Sequence, residues 1–193
     1  QVGRTLPTTV TITAKDAEKM KEDPTVRELL EDPDSVDRSL RILQEGSDVS
    51  ANGQSLDAYL FVPEEPERLS QFITLQERKT KAPVDFHRDT VLLTEKLAER
   101  LGVKAGDTIT VQRNDNNAKA QFTVGGVVEN YVQNYVYLSP ELYQEGYYIE
   151  PDFKQTIAVA PDGSQENRDR IISAFLKSDQ VQAVSFTDNI KDS

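Results

Sequence analysis

Histidine and cysteine, the side chains most often used for nucleophilic and metal chemistry, are nearly absent from this chain. The only histidine, His87, lies in the polar stretch Asp85-Phe86-His87-Arg88-Asp89, and there is no cysteine. A catalytic triad needs a histidine held between a nucleophile and an acid, and a zinc site needs several His or Cys ligands. His87 therefore reads as a loop or structural residue. Without cysteine, disulfides, thiol catalysis and thiolate metal sites are excluded together. Carboxylates stand close at Glu64-Glu65, at Glu28, Glu31 and Asp32, and at Asp32 and Asp34. With 33 acidic residues in the chain such neighbours arise by abundance, and they read as solvated surface. Asn114-Asp115-Asn116-Asn117 lacks the glycine and terminal glutamate of a calcium loop and reads as a hairpin tip. Gly125-Gly126 follows a strand pattern, but no helix-opening glycine fingerprint for a nucleotide accompanies it. The sequence thus assigns no catalytic residue, no cofactor-binding residue and no metal ligand, and the expectation is a protein that is not an enzyme.

Tyrosine is the compositional oddity. Six of the seven tyrosines, Tyr131, Tyr135, Tyr137, Tyr143, Tyr147 and Tyr148, fall within residues 131–148. An apolar ring with a polar tip suits a partner surface. Core and edge packing is the favoured reading, with Tyr135 and Tyr137 on one strand face and the others covering a loop. Both readings stand on the sequence.

The composition bounds the classes of function. The 193 residues suffice for one large or two small domains, and 37% hydrophobic with 28% charged residues is ordinary for a globular chain. The net charge of −11 repels a polyanion, and Glu77-Arg78-Lys79-Thr80-Lys81 is too short to track phosphates, so no nucleic-acid partner is expected. The longest apolar run, Ala58 to Val62, falls far short of the roughly 20 residues that span a bilayer. The only methionine is Met20, which suits a domain cut from a longer chain.

Hydrophobic periodicity supplies the elements. Alternation at Val10 and Ile12 predicts a half-buried strand over residues 8–13. Residues 14–21 and 26–31 predict short helices, stopped near Pro24 and Pro33. Residues 39–44 predict a strand; residues 49–51 and 55–62 around Asn52-Gly53 predict a hairpin. Residues 67–72 predict a short helix and a polar, extended stretch follows. Residues 91–93 predict a strand, and Thr94 is placed to cap a helix burying Leu97, Ala98 and Leu101. Gly102 sits where a left-handed C-cap belongs, and Gly106 takes the third position of a turn that Asp107 closes. Strands over 108–113 and 118–124 form a hairpin, with a bend at Gly125-Gly126. A strand over 135–138 is followed by a short helix that Ser139-Pro140 opens and that ends near Gly146. A strand over 156–160, a helix from Ser164 to about Leu176 burying Ile171, Ile172, Phe175 and Leu176, and a strand over 181–187 close the chain.

The passage Leu92-Leu93-Thr94-Glu95-Lys96-Leu97-Ala98-Glu99-Arg100-Leu101-Gly102-Val103-Lys104-Ala105-Gly106-Asp107-Thr108-Ile109 resembles the signature of FtsX-like (MacB-type) ABC-transporter permeases. Phe122-Thr123-Val124-Gly125-Gly126-Val127-Val128-Glu129-Asn130-Tyr131 and Val136-Tyr137-Leu138-Ser139-Pro140 continue it in family order. The resemblance is sharp over residues 91–143. It implies a non-catalytic, extracytoplasmic domain between two membrane helices of a bacterial permease. The partners so implied are the protein's own transmembrane helices and a cytoplasmic ATPase, with a peptide, lipid-linked molecule or protein as ligand.

The expected fold is α+β in two lobes. Residues 1–62 with 154–193 would form a porter-like or ferredoxin-like lobe, and 63–153 a β-rich inserted lobe. The first and last strands are expected in one sheet, as neighbours or one strand apart. The competing function is a free-standing secreted or lipid-anchored binding module.

Overall fold

The computed structural model describes residues 6–129 and 132–187. The chain divides into two compact units, residues 1–42 with 152–193 and residues 43–151.

The first unit is a sheet with helices on one face. Its strand order is β10 (Val181–Thr187), β1 (Thr8–Ala14), β9 (Gln155–Ala160) and the first part of β2 (Arg38–Ala51). All three pairings are antiparallel, with Val10 opposite Phe186 and Ala158, and Ile12 opposite Val184 and Thr156. The terminal strands are thus direct neighbours, as expected. Asp16 caps α1 (Ala17–Glu22) and Asp23 caps α2 (Pro24–Glu31), each accepting from a backbone N–H three residues on. Ser164 does the same for α5 (Gln165–Leu176). Met20, Val26, Ile171 and Phe175 from these helices meet Val10, Ile12, Ala158 and Ala160 in one core. The sequence puts Ile172 and Leu176 in this core as well. Ile172 is only half-buried and Leu176 is exposed, because the buried stripe of α5 runs through Ile171 and Phe175, four residues apart.

In the second unit, β2 continues past Ile42 as one unbroken strand and turns at Asn52-Gly53 into β3 (Gln54–Pro63). Both turn residues have positive φ, 52° and 77°, as a tight hairpin requires. Ser47 to Ser50 pair with β5 (Thr108–Arg113), which pairs with β6 (Lys119–Thr123). Tyr59 to Phe61 pair in parallel with β8 (Tyr135–Tyr137), followed by β4 (Leu92–Thr94) and β7 (Gly126–Val128). These pairings explain why the unit begins at Leu43 rather than after the hairpin near Pro63. The hairpin's partners, β5 and β8, lie in the second unit. Two α-helices, α3 (Glu95–Leu101) and α4 (Pro140–Tyr147), and a short 3-10 helix (Pro66–Gln71) complete it.

Gly102 closes α3 with φ 68°, and the Val103 N–H donates to the Ala98 carbonyl. Gly106 has φ 97° in a turn closed by the Asp107 N–H on the Lys104 carbonyl, while the Asp107 carboxylate accepts from the Lys104 N–H. Thr94 departs from its expected role. Its hydroxyl makes no cap bond to α3 and instead accepts from the Tyr135 N–H at 3.0 Å, tying β4 to β8. Ser139 caps α4, and the helix ends at Tyr147, next to Gly146 as expected. Gly146 serves packing: a Cβ there would lie 2.9 Å from both Ala120 Cβ and Phe122 Cζ.

Candidate functional site

The tyrosines do not form one surface. Tyr131 lies outside the described residues. Tyr135 and Tyr137 share a face of β8, their rings stacked at 5.6 Å between centroids. Parallel pairing brings Tyr59 and Phe61 beside them, at 5.7 Å from Tyr135 and 5.4 Å from Tyr137. Tyr137 is buried and Tyr135 half-buried, so this is an aromatic ladder exposed chiefly at Tyr59.

Tyr143 and Tyr147, one helical turn apart on α4, point into the core. The Tyr143 hydroxyl donates to Glu45 at 2.9 Å and the Tyr147 hydroxyl to the Val111 carbonyl at 2.9 Å. The Arg113 guanidinium sits 5.4 and 5.6 Å from their ring centres, within cation–π range. It also holds Glu45 through two 2.9 Å bonds. Burial pushes the phenols of Tyr137, Tyr143 and Tyr147 well above their ordinary range, with the Glu45 charge adding to the shift at the last two. These three tyrosines are structural. Tyr148 is the most exposed of the described tyrosines, at 88%.

A groove of about 730 Å³ opens on the second unit. Asp57 and Tyr59 on β3, Lys96 and Arg100 on α3, and Asn114 and Asn134 from loops line it. Asp57 and Asp48 share a hydrogen bond between carboxyl groups, which raises the Asp48 pKa. Both signs of charge line the groove, so it favours no simple ion. Sequence reading missed Glu45 and Arg113, and the partnerships of Asn52 and Tyr59, because their partners lie far along the chain.

The residues weighed for chemistry are scattered. His87 is exposed and bonds through Nδ1 with the Thr90 hydroxyl at 3.2 Å. Asp32 accepts from the Ser35 hydroxyl and the Asp34 N–H, which holds its pKa below the ordinary value. Glu65 pairs with Arg68. Asn114 to Asn117 form the β5–β6 hairpin tip, where Asn116 accepts from the Ala118 N–H. Among the described residues no group of three or more His, Cys, Asp or Glu side chains converges as metal ligands would. No helix among them is long and apolar enough to cross a membrane.

Among the solved structures that share this fold are two transporter domains. The periplasmic region of MacB from Actinobacillus actinomycetemcomitans matches with a TM-score of 0.53 at 11% identity, covering 94% of this chain and 88% of that one. The extracellular domain of the ABC-type transporter YknZ from Gram-positive bacteria matches with a TM-score of 0.53 at 11% identity, covering 93% and 100%. No curated protein sequence gives a significant match. The family model of the MacB-like periplasmic core domain matches residues 2–172. This chain belongs to the MacB-like periplasmic core domain family.

Proposed function

We propose that this chain is the extracytoplasmic, non-catalytic domain of an ABC-transporter permease, and that it carries the motion of flanking membrane helices to a substrate or partner outside the membrane. Family membership supports the setting. The observation that carries the coupling is the pairing of the terminal strands. Thr9 lies opposite Thr187 and Ile12 opposite Val184, so β1 and β10 are adjacent in one antiparallel ladder. A displacement applied through either strand passes into the core of the first unit through backbone hydrogen bonds and through Val10, Ile12 and Phe175. The energy source in this reading is a separate cytoplasmic ATPase, and the domain's part is mechanical and recognitive.

The test is to loosen that connection. Six Gly/Ser residues inserted before Thr8, or after Thr187, make a slack linker in the full-length protein. The coupling reading expects ATP hydrolysis to persist while ATP-driven export falls. Unchanged export with both insertions would remove the coupling role.

A further inference from the structure

We propose that Tyr148 and Ile149 form a docking knob for a second protein, one that offers an apolar socket rimmed by lysine or arginine. The proposal rests on the extracytoplasmic reading above and adds the surface and the chemistry of its partner. Two independent observations single out the knob. First, Tyr148 is 88% exposed and Ile149 44% exposed, an aromatic and a β-branched side chain side by side at the end of α4. Second, Tyr148 has φ 61° and closes α4 in the left-handed conformation. That position favours glycine or asparagine, and a bulky side chain there is strained. A ring 88% exposed buries little area in the fold, whereas strained residues concentrate where function holds them.

Charge decides the occupant. Glu141, Gln144 and Glu145 are exposed and fall on the helix face that leads to Tyr148, at the i−7, i−4 and i−3 positions. Exposed Glu150 follows Ile149 directly. The apolar tip is thus flanked by carboxylates on a chain of net charge −11. An anionic lipid surface is repelled by that rim. A second copy docked knob to knob would set glutamate against glutamate. A protein socket with a basic rim gains both the buried ring and complementary charge, the arrangement that interface hot spots favour.

The experiment places the photoreactive p-benzoylphenylalanine at Tyr148 in the full-length protein in its native cells and maps the adduct by mass spectrometry. A matched probe at exposed Gln54 is the control. The expected adduct, specific to position 148, joins an apolar residue of another protein with Lys or Arg beside it. Its yield should fall at least tenfold with Glu145→Lys and Glu150→Lys combined. Tyr148→Gly, tested separately in the isolated chain, should raise the urea midpoint by relieving the left-handed strain. Adducts only with lipid or with a second copy, yields indifferent to charge reversal, or no adduct beyond the control would each overturn the proposal. So would a Tyr148→Gly variant less stable than the parent. Failure of the permease reading shows separately, as a domain labelled only from inside the cell.

Discussion

Arg113 holds Glu45 through two parallel bonds, Nε to Oε2 and Nη2 to Oε1, each 2.9 Å, across 68 positions of sequence. The side chains are 7% and 14% exposed. Desolvating both charges opposes the pair, and its geometry with the Tyr143 hydroxyl offsets that cost. Removing one partner strands the other. Arg113→Met should destabilise the chain by about 3–5 kcal/mol. Replacing Glu45 by Gln and Arg113 by Met together should cost clearly less than the sum of the single changes. Urea titration of the four-protein cycle checks this, and additive costs would show that the pair does not act as a unit.

Alkaline pH should weaken the fold through the buried phenols. Burial raises the pKa of Tyr137, Tyr143 and Tyr147 above the ordinary 10.0. Below that value each phenol is neutral in both states, and its contribution is constant. Above it the unfolded chain releases these protons first and binds fewer than the native state, so stability falls as pH rises. The urea midpoint should hold from about pH 8 to about pH 9 and fall as pH rises past about pH 10. Tyr147→Phe should lessen that drop, and an unchanged pH dependence would contradict the shift.

Gly102 and Asn52 meet at the end of α3. The Asn52 amide donates to the Leu101 and Gly102 carbonyls at 2.8 and 3.1 Å, capping a helix 49 residues away. A Cβ at Gly102 would meet only Asn52 Nδ2, at an ordinary 3.5 Å, so Gly102→Ala is opposed by its φ of 68° alone. About 1 kcal/mol is expected for that change. Asn52→Gly keeps the hairpin turn and deletes the cap, for about 0.5–1.5 kcal/mol. Denaturant titration of both variants measures these costs, and no loss in either would contradict this account of the junction.

Gly146→Ala separates packing from helix propensity. Alanine favours a helix by about 1 kcal/mol over glycine. Here its Cβ would press on Ala120 and Phe122 at 2.9 Å. A net loss of about 1–3 kcal/mol is expected. A stabilised variant, read by thermal unfolding, would mean that α4 shifts freely away from β6.

What the sequence made legible was local. Gly102, Val103, Gly106 and Asp107 act within a few residues of each other, so their turn chemistry shows in the order of residues. The pairing of β1 and β10 was legible too, since both strands carry β-branched residues toward a core. Long-range partnerships were not. Glu45 and Gly46 interrupt the alternation between two strand patterns, and Arg113 with the Tyr143 hydroxyl explains a glutamate held within β2. Thr94 has the type and place of a helix cap, yet Tyr135, 41 residues on, takes its hydroxyl. The tyrosines divide between core, ladder and surface by which sheet they meet, and residue type carries no such information.

The central claim is that this domain faces the outside of the cytoplasmic membrane, and labelling measures that directly. The chain has no cysteine, and the Lys104 side chain is 85% exposed, so Lys104→Cys gives one addressable thiol within the domain. In a full-length protein otherwise free of cysteine, intact cells are treated with a maleimide too polar to cross the cytoplasmic membrane. The account predicts labelling in intact cells equal to that after lysis. Labelling that appears only after the membrane is broken would contradict it.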